Sequence, residues 1–124
     1  VSGNWTAASG YQAMMQLLDN APDLEAVFVS NDSMALGALR AASNCGRSVP
    51  HDLAIVGFDD IPESAYFSPP LTTVRQGLLK VGQQAVLMLH ENLQARRKGE
   101  SVNSRVVIIE PQLIVRESSV RVKT

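Results

Sequence analysis

Trp5, Asn31, Asp32, Asp59 and Asp60 are the residues of this chain whose types and placement could hold a small polar molecule. An indole offers a flat apolar face and one N–H donor. A carboxylate accepts two hydroxyl hydrogen bonds, and an amide both donates and accepts. A stacking ring, an amide and a carboxylate suit a polyhydroxylated ring such as a sugar. They suit a nucleobase or nucleoside equally. Each residue also has a plain structural use: core packing for Trp5, helix capping for Asn31 and Asp32, a turn for Asp59. What joins them is position. Ser30-Asn31-Asp32 ends the apolar run Ala26–Val29, and Phe58-Asp59-Asp60 ends the run Leu53–Gly57. In an open α/β sheet, ligands bind at the carboxyl ends of the strands. Trp5 immediately precedes the first helical pattern, where a strand would end, and so falls on the same rim.

Reactive chemistry has no comparable footing. No glycine-rich phosphate loop follows either run, and no nucleophile elbow is present. His51 and His90 are isolated from other ligand types, so neither a metal nor a catalytic residue is expected. Adjacent carboxylates at Asp59 and Asp60 could suggest acid–base work, but neighbours on an extended segment point opposite ways. The chain reads as a binding protein without a cofactor, not as an enzyme.

The elements that must position the rim follow from periodicity. Thr6 to Asp19 predicts a helix with Ala7, Tyr11, Met14, Met15 and Leu18 on one face, capped by Thr6. Ala26–Val29 and Leu53–Val56 predict short buried strands. Between them, Met34–Ala42 predicts a helix that Asn31 or Asp32 can cap and Gly46 can stop. Apolar strands separated by helices predict a parallel open sheet with helices on both faces. Pro62, Pro69 and Pro70 mark an irregular stretch, then Leu71–Val74 is extended. A long helix runs from Leu78 to about Arg97, with Leu78, Val81, Ala85, Leu89 and Leu93 as its apolar positions. Arg96-Arg97-Lys98 at its end offset the helix dipole. Arg105–Ile109 and Leu113–Val115 predict the last strands.

The bulk properties agree with a binding domain. A chain of 124 residues is one domain by length. Its 45% hydrophobic content allows a real core, and a net charge of −1 gives no overall attraction to nucleic acid. No apolar run reaches the roughly 20 residues of a membrane span. Cys45 is the only cysteine, so no internal disulfide can form, and it reads as a small core hydrophobe near a helix end. Val1-Ser2-Gly3-Asn4 has neither an initiating Met nor an export signal. The expectation is a cytoplasmic chain that starts inside a larger sequence.

Four ordered motifs carry a resemblance. Gly3-Asn4-Trp5-Thr6-Ala7-Ala8-Ser9-Gly10-Tyr11, Val29–Gly37, Val49–Asp60 and Pro69–Gln76 resemble the C-terminal part of lactose-repressor-type (LacI/GalR) transcription regulators. The resemblance implies a two-lobed, periplasmic-binding-protein-like effector core with a small effector, a sugar or nucleobase, between the lobes. By motif position it implies Trp5, Asn31, Asp59 and Gln76 as effector contacts. It implies a homodimer with Leu36, Tyr66 and Phe67 at the interface, and DNA binding only through a helix-turn-helix domain that these motifs do not include. On that frame residues 1–76 form the C-terminal lobe, 77–105 a helix of the N-terminal lobe, and 106–124 a return strand and tail. A transport-type periplasmic sugar-binding protein of the same architecture is the alternative.

Overall fold

The computed structural model describes residues 1–102 and 104–121. They form two compact units. One comprises Val1–Arg75 with Leu113 onward, and the other Gln76–Gln112.

In the first unit, helix α1 (Ala7–Asn20) starts where the Thr6 hydroxyl accepts the Ser9 N–H at 3.2 Å. It buries Met14 and Leu18, one turn apart on the expected face. Strand β1 (Ala26–Phe28) follows. Helix α2 (Asp32–Asn44) is capped by Asn31, whose Oδ1 accepts the Met34 N–H at 2.7 Å. Gly46 ends it at φ +69°, with its own N–H donated to Ser43 and that of Arg47 to Ala42. Strand β2 (Ala54–Val56) pairs in parallel with β1, Val27 opposite Ile55, so α2 is the crossover. A parallel bridge from Val56 to Thr72 leads to β3 (Thr73–Arg75). Strand β4 (Gln112–Ile114) lies beside β3.

Met14, Leu18, Ala35, Ala38, Leu39, Leu53, Ile55 and Leu71 form the core. Helices α1 and α2 cross so closely that two glycines are required. A Cβ on Gly37 would fall on the Ala7 carbonyl oxygen, and one on Gly10 on the Met34 carbonyl. Both obstacles are backbone and cannot rotate away.

The side chain of Asp32 locks the strand ends together. It is fully buried in the first turn of α2. Its Oδ1 accepts the Thr73 hydroxyl at 2.6 Å, and its Oδ2 the Ile61 N–H at 3.0 Å. Its own N–H donates to the Phe58 carbonyl at 2.9 Å. A Cβ at Gly57 would strike the same carboxylate. Burial pushes the Asp32 carboxyl above its ordinary value, and the bonds from Thr73 and Ile61 only partly offset this.

Several expectations change. β1 is not a fully buried strand, since Phe28 is 60% exposed and stands edge-on to Phe58 at 6.2 Å. Arg105–Ile109 is not a strand: its β-branched run has a strand's composition, but a strand exists only by pairing, and among the described residues between Gln76 and Glu110 α3 is the one regular element. Cys45 is exposed, because it is the C-cap of α2 and lies past its last buried turn.

In the second unit, α3 (Leu78–Arg97) begins after Gly77, which is left-handed at φ +66°. It ends with Arg96 and Arg97 in its last turn, as the dipole favours. None of its residues is buried, and Leu78, Val81, Leu89 and Leu93 are all exposed. An ion pair joins Arg105 to Glu91 at 2.6 Å, with both side chains more than half exposed.

Two predictions follow from this packing. Gly37→Ala must force α1 and α2 apart and should cost about 1–3 kcal/mol in urea unfolding of the chain, although alanine is the better helix former. Gly82 in α3 faces nothing within 4 Å, so Gly82→Ala should raise helicity by circular dichroism instead. The second concerns Asp32→Asn, which retains an acceptor for one partner but turns an amide N–H toward the other. A loss of about 1–3 kcal/mol is expected. The wild-type carboxyl is raised, so ionisation favours the unfolded chain. Its advantage over Asp32→Asn should be largest in acid and shrink as pH rises from the ordinary carboxylate range through the raised value. Unfolding of both proteins across that range measures the gap, and a gap that widens with pH contradicts the assignment.

Candidate functional site

The carboxyl ends of β1 and β2 collect the rim residues through a chain of short contacts. Asn31 is 7% exposed, and both polar atoms of its amide are engaged. While Oδ1 caps α2, Nδ2 donates to the Trp5 carbonyl oxygen at 3.2 Å. The cap of the second helix therefore also holds the residue before the first. Trp5 is left-handed at φ +71°, and the residue as a whole is 68% exposed. On the other side of Asn31, the Asp32 N–H reaches the Phe58 carbonyl and so joins the first acidic cluster to the second. Asp59 is half-buried, with φ +111°, and its N–H donates to the Val74 carbonyl at 3.0 Å.

Trp5, Asn31 and Asp59 thus lie at one end of the sheet in the first unit. Gln76 is the first residue of the second unit, and the geometry of the first unit does not extend to it. Leu36 and Tyr66 are exposed, Tyr66 at 88%, on α2 and on the 3-10 turn Pro62–Tyr66. Phe67 is different: it is half-buried and packs against the core.

The premise that Asp59 and Asp60 sit on an extended segment does not hold. Both are left-handed, Asp60 at φ +54°. With Trp5 they are the non-glycine residues of positive φ among those described. Asp60 is engaged inward. Arg75 donates to its Oδ2 at 2.6 Å and Arg116 to its Oδ1 at 2.7 Å. Burial pushes the Asp60 carboxyl up, but hydrogen bonds and charge from Arg116 and Arg75 more than offset it, and the net shift is downward. Sequence reasoning missed Arg116, which also donates to the Leu71 carbonyl at 2.8 Å and the Ser64 hydroxyl at 3.1 Å. Its only local signal is a cation among strand and turn residues near the end of the chain. Ser118 was missed too: its hydroxyl accepts the Thr72 N–H at 2.8 Å and donates to the Ile55 carbonyl at 2.6 Å.

Chemically, the rim offers an exposed tryptophan and a half-buried aspartate, on a backbone anchored by hydrogen bonds. It can stack on a ring face and accept hydroxyl hydrogen bonds. Among the described residues, no three His, Cys, Asp or Glu side chains gather as a metal would require. No helix among them is long and apolar enough to cross a membrane.

Residues 1–119 match the periplasmic binding protein-like domain. The chain is 41% identical over 118 residues to the HTH-type transcriptional repressor PurR of Haemophilus influenzae (strain PittEE), covering 95% of the chain and 35% of that protein. It is 41% identical over 117 residues to the HTH-type transcriptional repressor CytR of Escherichia coli (strain K12), covering 94% and 33%. Among solved structures, the transcriptional regulator CelR–cellobiose complex superposes with a TM-score of 0.82 at 40% identity, over 94% of this chain and 35% of that one. The lac repressor dimer bound to operator and the anti-inducer ONPF gives a TM-score of 0.80 at 35% identity, over 96% and 40%. The chain spans about a third of the length of the curated relatives. Its motifs, its parallel α/β architecture and these likenesses agree: the chain belongs to the periplasmic binding protein-like domain family, in the form found in lactose-repressor-type (LacI/GalR) regulators.

Proposed function

We propose that this chain is the effector-sensing and dimerising part of a bacterial transcription regulator, and that it performs no catalysis. The observation that carries the reading is the rim itself. Trp5 and Asp59 are held in left-handed backbone at one end of the sheet, with Asn31 between them. Non-glycine residues persist in that conformation only when their surroundings impose it, and such strain clusters at ligand sites. An indole and a carboxylate without an anion cradle favour an uncharged, hydroxyl-rich effector, a sugar before a nucleobase. CelR, solved as a complex with cellobiose, is a relative with such a ligand.

Gln76 is proposed as a further effector contact from its place in the last motif. Residues 1–76 would serve as the C-terminal lobe, 77–105 as a helix of the N-terminal lobe, and 106–124 as the return strand and tail. DNA contact would belong to the helix-turn-helix segment of such a regulator, and the setting would be cytoplasmic. The relatives named above are HTH-type regulators, which favours this reading over a transport-type sugar-binding protein.

Leu36, Tyr66 and Phe67 are proposed for the two-fold interface. Two of them are exposed apolar or aromatic side chains, and Phe67 fixes the loop that carries Tyr66 by packing on the core.

Two measurements test this. Calorimetry of the intact regulator against a panel of sugars and nucleosides should give a binding sugar, and Asp59→Ala should weaken it by about 2 kcal/mol, roughly thirtyfold. An unchanged dissociation constant removes Asp59 from the site. Sedimentation of the regulator carrying Tyr66→Glu should give monomers, because the new charge would be buried unpaired. Tyr66 suits this test better than Phe67, whose replacement would also damage the core. A stable Tyr66→Glu dimer places the interface elsewhere.

A further inference from the structure

The two cations that hold Asp60 stand at the two places where the chain leaves and re-enters the first unit. Arg75 is the last residue of that unit before Gln76, and Arg116 follows soon after the return at Leu113. Both Nε and Nη2 of Arg75 lie 2.6 Å from Oδ2 of Asp60, and Nη2 of Arg116 lies 2.7 Å from Oδ1. The carboxylate is 5% exposed and the Arg116 side chain 18%, so this half of the clamp is largely screened from water. A screened pair is not the weak contact that an exposed ion pair is.

The backbone of the rim is sewn to the same segments. The Asp59 N–H donates to Val74, next to Arg75, and the Asp60 N–H to the Thr73 hydroxyl at 3.3 Å. Arg116 in turn holds Leu71 and Ser64. One carboxylate therefore joins the exit, the return and the loop that carries Asp59.

We infer that Asp60 is a positioning residue. It ties both connecting segments to the Asp59 rim, so that the carboxylate facing the effector and the two connections between the units shift as one piece. This rests on the reading of Asp59 as an effector contact and adds to it how occupancy of the rim would be passed to the connections. Two sites are coupled only through an element that both of them bias. The Asp60 clamp supplies one: the segment that presents Asp59 is the segment that grips Arg75 and Arg116.

The test is amide hydrogen exchange on the full chain, which needs no effector. In Asp60→Asn, the Asp59 N–H should exchange about tenfold faster or more. The Val29 and Ala54 N–H groups, which donate across the β1–β2 pair to Val56 and Glu25, should stay within about twofold. Arg75→Gln removes the more exposed cation and leaves the Arg116 contact. It should accelerate Asp59 by about threefold with the sheet amides unchanged, and it decides the matter if Asp60→Asn does not fold. Uniform acceleration of all three amides in Arg75→Gln would make the clamp a general stabiliser, and an unchanged Asp59 would leave it without a positioning role. Either result overturns the inference. The effector reading fails separately, through an unchanged calorimetric affinity in Asp59→Ala.

Discussion

The fold turns on one buried carboxylate. Asp32 has no exposed surface, yet three segments meet on its two oxygens and its N–H: β3 through the Thr73 hydroxyl, the loop after β2 through Ile61, and the end of β2 through Phe58. An ionised group in such a place is costly unless every lone pair is directed. The cost makes the arrangement specific, because any register that loses Thr73 or Ile61 leaves a buried charge unanswered. Gly57 completes the device by leaving room where a Cβ would strike the carboxylate. The rim above, with Trp5, Asn31 and Asp59, inherits its geometry from that lock. Asn31 precedes Asp32 in the chain, and Asp59 follows the carbonyl that Asp32 holds.

Electrostatically, the three neighbouring carboxylates are treated differently. Asp32 is held by neutral donors, and burial raises it; Asp60 is held by two guanidinium groups and is lowered. Asp59 is the half-exposed one at the surface. Two carboxylates thus have inward tasks, and the third stands nearer the surface.

Much of this was legible where the determining chemistry is local. Thr6, Asn31 and Gly46 mark helix ends because a cap acts on atoms two to four residues away. The pairing of β1 with β2 could be read from two apolar runs flanking a helical one. Other features depend on partners distant in the chain. Asp60 and Arg116 are 56 residues apart, and nothing local to either names the other. Gly10 and Gly37 look like weak helix residues until two helices are seen to touch backbone to backbone. Left-handed backbone at Trp5, Asp59 and Asp60 is invisible in sequence, since no glycine marks it. Arg105–Ile109 shows the reverse error: composition promised a strand, but a strand is a relation between two segments.

The closure by Ser118 has a consequence for biosynthesis. Its hydroxyl satisfies the Thr72 N–H across 46 residues and the Ile55 carbonyl across 63. A ribosome adding roughly 5–20 residues per second makes Thr72 about 2–9 seconds before Ser118. For most of that interval the second unit is being synthesised, and the Thr72 N–H and Ile55 carbonyl do not yet have the Ser118 hydroxyl as partner. The unit that carries the rim is mostly made early and completed late. A nascent chain of this kind emerges with its first sheet unsealed, the state in which a chaperone holding extended segments has the most to grip.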